Sequence, residues 1–420
     1  MRRIDPHRFH VATRGTSRHI NRQIALTLIG SHQPISRADL ARRMNMRRGA
    51  VGLLVRELIA EQRVVEGTTV ETARGRKPTM LYIDTRGGSS VAVDVRATAT
   101  YLMLADPMGQ PRSDIVSMTT PTDPKRFVAA LAPRIRELLK THAKTVGACQ
   151  GIGVVVPGMV DPGTGRVIHA PTLGWRDVDL QARLMAATRL PVHVENSGRA
   201  CALAQVWEAR NVAARVRNLV FVSVSDGIGV GVVVNGELLR GRHNIAGEFA
   251  HMPLSIEGRL RCSCGAIGCW EAHISNLATL MRYFGGASRS LDSARDTSLD
   301  SVRGRAASSD RTFTITDLIA RARSGDRKAL GALQASARYL GLGLGGIVNI
   351  IDPDRVFIGG EITTAWDLIE TTVRTALAER ALTPAAAPTD IVIVSAEEHP
   401  RLRGAAMLVA APAFAAPVVA

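Results

Sequence analysis

Three of the chain's five cysteines crowd into one short segment, Cys262-Ser263-Cys264-Gly265-Ala266-Ile267-Gly268-Cys269. Thiolates on a glycine-bearing loop suit a tetrahedral zinc ion, because glycine lets the chain fold back around the metal. His251 precedes Cys262 by eleven residues and is the candidate fourth ligand. Four protein ligands leave no open position for a reactive water. The spacing therefore predicts a structural zinc site of His251, Cys262, Cys264 and Cys269. The competing reading is cysteines that merely pack or pair as disulfides. Glycines at this spacing argue against it. So do the low cysteine count and the absence of an export signal, which place the chain in a reducing cytoplasm.

Those ligands need elements to hold them. The chain has 420 residues, 46% hydrophobic and only 4% aromatic, which allows two or three domains with aliphatic cores. The opening MRRIDPHRFH has no apolar run after its charges and is not a secretory signal. No uncharged apolar stretch reaches the roughly 18 residues that would suggest a membrane span, so no membrane partner is expected. The apolar run Met407 to Ala420 is too short to span, and its two prolines suggest a docked or frayed tail. Net charge is +16. Residues 1–85 carry 16 Lys and Arg against 7 Asp and Glu, a net of +9, so a fifth of the chain holds more than half the excess. A polyanionic partner for this segment is the expectation, set against a merely solvated basic face.

The first segment has a definite order. Ile20, Ile24 and Leu28 recur at helical spacing. Ser36 followed by Asp39 is a helix-start signature, and a short helix through Met44 is expected. After a break at Asn45-Met46, a second amphipathic run begins at Arg47, with Val51, Leu54, Val55, Leu58 and Ile59 on one face. Two helices joined by a short turn, the second opening with Arg47-Arg48, form the helix-turn-helix layout. Its second helix enters the DNA major groove. Residues 63–66 and 78–83 read as a hairpin whose tip carries Arg74, Arg76 and Lys77, suited to phosphates or a minor groove. The expectation over residues 1–85 is a winged helix-turn-helix that binds a double-stranded DNA operator through Arg47, Arg48, Arg74, Arg76 and Lys77. A small helical domain with a basic loop is the alternative.

Residues 91–110 and 219–236 share a plan of strand, polar turn, strand, turn and third strand, and Asn235-Gly236 is a strong hairpin turn. Helical patterns follow at 124–143 and 326–340. A buried strand at 151–156 ends in a loop at Pro157-Gly158. This duplication predicts two related α/β lobes facing across a cleft. Residues 285–312, rich in Ser, Arg, Asp and Gly, read as a surface insertion.

The chain resembles the ROK family (repressors, open reading frames, kinases) over essentially its whole length. Gly247-Glu248-x-x-His251 looks like the family's Gly-Glu-x-x-His element. Cys262-x-Cys264-Gly265-x-x-Gly268-Cys269-x-Glu271 matches its zinc signature. Gly341-x-Gly343, Asn349-x-x-Asp352-Pro353 and Ile358-Gly359-Gly360 match its late nucleotide-side motif. Pro157 to Asp161 and Ala170 to Trp175 are similar to its loop near the sugar. The winged helix in front matches the repressor branch. The resemblance implies an α/β fold with an N-terminal winged helix-turn-helix and a two-lobed actin-like, ribonuclease-H-like ATPase-type domain. The first lobe would span 86–196 and the second 197–420, with the last helix returning to the first lobe. It further implies a sugar or sugar phosphate held by Gly158, Asn196, Glu248, His251 and Glu271, and a homodimer or homotetramer.

Kinases of this family carry an Asp base directly after Asn. Here Glu195-Asn196-Ser197 puts Ser197 in that place, and a hydroxyl that stays protonated cannot take the substrate's proton. The family's first phosphate loop reads Asp-x-Gly-Gly-Thr. This chain has Asp94-Val95-Arg96-Ala97-Thr98, whose side chains obstruct the close backbone approach of a phosphate. The second loop, Ser225-Asp226-Gly227-Ile228-Gly229, puts a carboxylate where polyphosphate would lie. Loss of the base alone costs about 10²–10⁴ in rate. No catalytic residue is therefore assigned. The expectation is a cytoplasmic, sugar-responsive repressor with a silent kinase-like domain. The alternatives are an active ATP-dependent sugar kinase with a DNA-binding head, and a DNA-binding scaffold with a vestigial pocket.

Overall fold

In the computed structural model, residues 14–69, 78–209, 216–255, 260–285 and 313–414 are described. The expected wing tip at Arg74, Arg76 and Lys77, and the insertion beyond Gly285, lie outside them.

The basic segment folds as α1 (Arg14–His32), β1 (Ile35–Ser36), α2 (Arg37–Met44), α3 (Arg48–Ala60), β2 (Val64–Thr69) and β3 (Thr79–Ile83). The predicted cap forms: the Ser36 side chain accepts from the Asp39 backbone N–H at 3.1 Å. Arg47 occupies the N-cap of α3. The three strands make an antiparallel sheet in the order β1-β3-β2. Leu26, Ile29, Leu40, Val55, Leu58 and Leu81 form the core between helices and sheet.

The first large sheet has the order β11-β7-β4-β5-β6. Its members are β4 (Ser89–Val95), β5 (Ala99–Ala105), β6 (Val116–Thr119), β7 (Cys149–Val156) and β11 (Val192–Asn196). β4 and β5 form the expected hairpin, the third antiparallel strand, β6, comes later than the expected 91–110 span, and β7 and β11 add in parallel. A small sheet of β8 (Met159–Asp161), β9 (Arg166–Ala170) and β10 (Trp175–Val178) follows the Gly158 loop. α4 (Pro124–His142) and α5 (Leu180–Thr188) pack alongside. α6 (Ser197–Ala209) leaves β11 directly.

The second large sheet repeats the plan as β14-β13-β12-β15-β16. β12 (Leu219–Val224), β13 (Ile228–Val234) and β14 (Glu237–Leu238) are antiparallel, whereas β15 (Arg355–Gly359) and β16 (Ile391–Ile393) join in parallel. α7 (Trp270–Ile274), α8 (Asn276–Phe284), α9 (Ile315–Arg323), α10 (Arg327–Ile351) and α11 (Trp366–Ala378) enclose its aliphatic core. α10 runs past the expected end near 340 through four glycines. A Cβ at Gly343 would lie 2.2 Å from the Trp270 ring, so that glycine serves close packing rather than a helix stop.

The first part of the apolar C-terminal run, Met407 to Phe414, is the docked end of α12 (Pro400–Phe414), and its remainder lies outside the described residues. This helix packs on β4 and β7 of the first sheet and beside α6. Its Met407 and Ala410, together with Ala204 and Trp207 of α6, belong to the hydrophobic core of the basic segment.

Candidate functional site: metal centre and cleft

His251 ends a single turn, Phe249–His251, and Cys269 caps the start of α7. Between them the chain reverses tightly, with the Cys262 backbone N–H donating to Ala266 at 2.9 Å and that of Gly265 to Cys262 at 3.0 Å. Gly268 has φ of +74° and a Cβ there would meet the Ser255 carbonyl at 1.7 Å, so only glycine fits. Cys262 Sγ lies 3.5 Å from His251 Nδ1, and Cys264 Sγ lies 3.7 Å from Cys269 Sγ. All four ligand atoms fall within 4.8 Å of one another. Sulfur at about 2.3 Å and nitrogen at about 2.0 Å from tetrahedral zinc stand roughly 3.5–3.8 Å apart, so the donor set fits the ion. Burial and the adjacent Cys262 and Cys264 sulfurs push the Cys269 thiol up to about 12. Thiolates this close repel one another unless a cation sits among them.

Glu271 connects this centre to the cleft. Its Oε1 accepts from Ser263 Oγ at 2.8 Å and its Oε2 from the Ile228 backbone N–H at 3.0 Å. The carboxylate thus braces the cysteine loop against the glycine loop at 225–229. Burial raises the Glu248 carboxyl, while Arg199 and His251 act in the opposite direction. Asn196 uses both ends of its amide internally. Nδ2 donates to the Gly158 carbonyl at 2.8 Å, and Oδ1 accepts from the Arg199 backbone N–H at 3.1 Å. Glu248, His251 and Glu271 thus lie near enough to act on one another electrostatically, and Gly158 and Asn196 are joined by a hydrogen bond.

Arg199, which is not among the expected site residues, ties the Asn196 segment to the segment before Glu248. It is 1% exposed. Its Nη2 donates to the carbonyls of Asn244 at 2.5 Å and Ala246 at 3.3 Å. Glu195 lies 3.8 Å and Glu248 3.9 Å from the guanidinium. Arg240 also pairs with Glu195. A lone cation in the otherwise uncharged run 197–207 was the available signal.

Arg96 lies in the loop between β4 and β5, the segment expected to be the first phosphate loop. Its Nε donates to Asp94 at 2.8 Å, and its Nη1 reaches Glu361 across the cleft at 3.2 Å. Arg401 Nε lies 2.8 Å from the other Asp94 oxygen. Asn276 holds the second Glu361 oxygen at 3.0 Å. Ser197 is buried in the first turn of α6.

On the basic segment, Arg47 and Arg48 stand exposed at the N-terminus of α3. Leu53 and Arg56 are exposed four and seven positions after Gly49, on one further stripe of that helix. Periodicity read for its solvent side would have found them. No described helix is long and apolar enough to cross a membrane.

Two sheets of one plan facing across a cleft are the architecture of sugar-kinase-like proteins. The ROK family model matches residues 90–411, and the chain belongs to the ROK family. It is 28% identical to the xylose repressor of Bacillus subtilis over 361 residues, covering 86% of this chain and 87% of the repressor. Among solved structures it is similar to a ROK family transcriptional regulator described as a homolog of the E. coli MLC protein. That likeness has a TM-score of 0.74 and 26% identity, covering 96% of this chain and 98% of the other. It is also similar to a ROK family glucokinase from Streptomyces griseus in complex with glucose and AMPPNP, with a TM-score of 0.61 and 25% identity. There the coverage is 76% of this chain and 99% of the glucokinase.

Proposed function

We propose that the chain is a sugar-responsive transcriptional repressor whose kinase-like domain binds its effector without phosphorylating it. One observation carries the reading. The regulator's likeness extends over 96% of the chain, whereas the glucokinase is matched almost entire yet leaves about a quarter uncovered. The family model begins at residue 90, after the basic segment. That segment is where a repressor differs from a kinase.

In this reading residues 1–85 are a winged helix-turn-helix that presents Arg47 and Arg48 to an operator's major groove. Arg74, Arg76 and Lys77 are assigned to the wing. Residues 86–196 and 197–420 are the two lobes. Gly158, Asn196, Glu248, His251 and Glu271 surround a sugar, with carboxylates and an amide suited to adjacent hydroxyls. His251, Cys262, Cys264 and Cys269 hold a structural zinc. The ion fixes His251 in place, and Glu271 braces the loop beside it. The protein acts in the cytoplasm as a homodimer or homotetramer, since a two-fold operator needs at least two heads.

Silence toward phosphoryl transfer rests on two features. Ser197 cannot act as base. Arg96 spends its charge on Asp94 and Glu361 rather than on a phosphate.

The test is a gel shift with operator fragments selected from a random duplex library, run against a panel including D-xylose, D-glucose and their phosphates. Release by a panel member is expected. Operator binding unmoved by every sugar would replace the reading with a constitutive regulator. Steady hexose phosphorylation in a coupled assay would replace it with a sugar kinase.

A further inference from the structure

We propose that α6 couples the cleft to the DNA-binding head, with Arg199 and Trp207 as its two working ends. The proposal rests on the sugar-responsive reading above and adds the route by which the effector acts.

One end of α6 grows out of the cleft. Asn196, at the junction with β11, braces the Gly158 loop. Arg199, in the first turn, pins the carbonyls of Asn244 and Ala246, in the segment that leads into Glu248 and His251. Arg199 Nη1 is buried and has no hydrogen-bond partner among the described residues. A buried guanidinium held by two carbonyls, with a donor to spare, is sensitive to any shift of that segment. Arg199 acts through these neighbours, so it is a positioning residue.

The other end of α6 lies in the head. Ala204 and Trp207 share one buried cluster with Leu26 and Ile29 of α1, Leu40 of α2 and Leu58 of α3. From Asn196 to Trp207 is roughly 16 Å at 1.5 Å per helical residue. The first turns of that length are tightly packed. A Cβ at Gly198 would meet the backbone of Gly229 and Val230 at 2.7 Å, and one at Gly404 of α12 would meet Ala200 at 2.7 Å. Backbones packed this closely move together or not at all, so a helix shift of about 1–2 Å at the cleft reappears at Trp207. Trp207 is where that shift meets the core that sets the angle of α3.

The experiment uses full-length protein, selected operator DNA, and D-xylose and D-glucose as probes. Trp207→Leu keeps an apolar side chain in the cluster and lies outside the cleft. The variant is expected to show the wild-type thermal shift with sugar and to bind operator, while sugar-induced release falls from about 5–150-fold to under about twofold. Met407→Leu, in the same cluster but on α12, is expected to keep the release. If Trp207→Leu binds sugar and still releases operator as wild type does, the coupling role is overturned and the sugar-responsive reading stands. If neither sugar shifts nor releases the wild type, that reading and the coupling fall together. Should Trp207→Leu not fold, hydrogen exchange of wild type decides. Sugar is expected to change protection in both 197–209 and 18–32, and protection unchanged in 18–32 overturns the proposal.

Discussion

The two ends of the cleft have the same ancestry in the fold and opposite chemistry. At the sugar end, polar side chains brace one another. Asn196 ties the Gly158 loop to α6, Glu271 ties the cysteine loop to Ile228, and the metal ligands converge within reach of one ion. At the phosphate end, Arg96 fills the loop that a phosphate would need and spans the cleft to Glu361. In the function proposed above, the first end holds a polyhydroxyl ligand. The second is closed by the protein's own side chains. A binding site and a reaction site need different things from the same fold, and one can be kept while the other is lost.

The largest test of this contrast falls on the metal centre. Cys269→Ser is expected to abolish stoichiometric zinc and to lower stability by about 4 kcal/mol or more, the range typical of losing a metal site. Metal analysis alongside urea unfolding would measure both. Full stability without zinc would mean that the sugar end is not built on the ion. Next comes His273, on α7, the helix whose N-cap is Cys269. It is 3% exposed, and its ring stacks on Tyr339 at 4.1 Å. Neither ring nitrogen has a hydrogen-bond partner among the described residues. Burial lowers its pKa to about 4, and Arg282 adds to the effect. The unfolded chain, with an ordinary histidine near 6.5, takes up the proton first. Stability from the neutral ring is therefore full above about pH 6.5 and is lost as pH falls toward 4, by on the order of 3 kcal/mol. His273→Phe should flatten that slope. Zinc release at low pH acts on both proteins alike, so the difference between their unfolding midpoints isolates His273.

What could be read in advance follows the range of the interactions involved. The metal cluster was legible because three ligands sit in one short loop and His251 is close in sequence. The helices of the basic segment were legible because Ser36, Asp39 and the α3 stripe act within a turn or two. The strand at 151–156 was legible too, as β7, but the parallel pairings of β7, β11, β15 and β16 were not, since parallel pairing joins segments far apart. Arg199 was missed for a related reason: a buried cation is recognised by the carbonyls that receive it, here 45 and 47 positions away. Asn196 was expected to face a ligand, yet its amide first serves as a brace. The end of α10 was placed too early because glycine reads locally as a stop. Packing against Trp270 overrides that preference.

Two smaller effects separate the ends most sharply. Asn196→Ala leaves the Gly158 carbonyl and the Arg199 N–H without partners, at a cost of about 1–3 kcal/mol. It should also remove the sugar-induced thermal shift, because the loop beneath the ligand loses its brace. Glu361→Gln acts at the other end. The Arg96–Glu361 pair is partly exposed, with side chains 33% and 29% accessible, and exposed pairs contribute at most about 1 kcal/mol. Glutamine keeps one carbonyl oxygen for Arg96, while its NH2 group meets Asn276, whose amide must turn to present Oδ1 as the acceptor, so the loss should stay near that figure. The sugar-induced shift should be that of wild type. ATP should give no thermal shift in either protein, because Asp94, 1% exposed and clamped by Arg96 and Arg401, still closes the loop. A nucleotide-induced shift appearing in Glu361→Gln would mean that a single ion pair, rather than the whole loop, shuts the phosphate end. The contrast between the two ends would then reduce to one side chain.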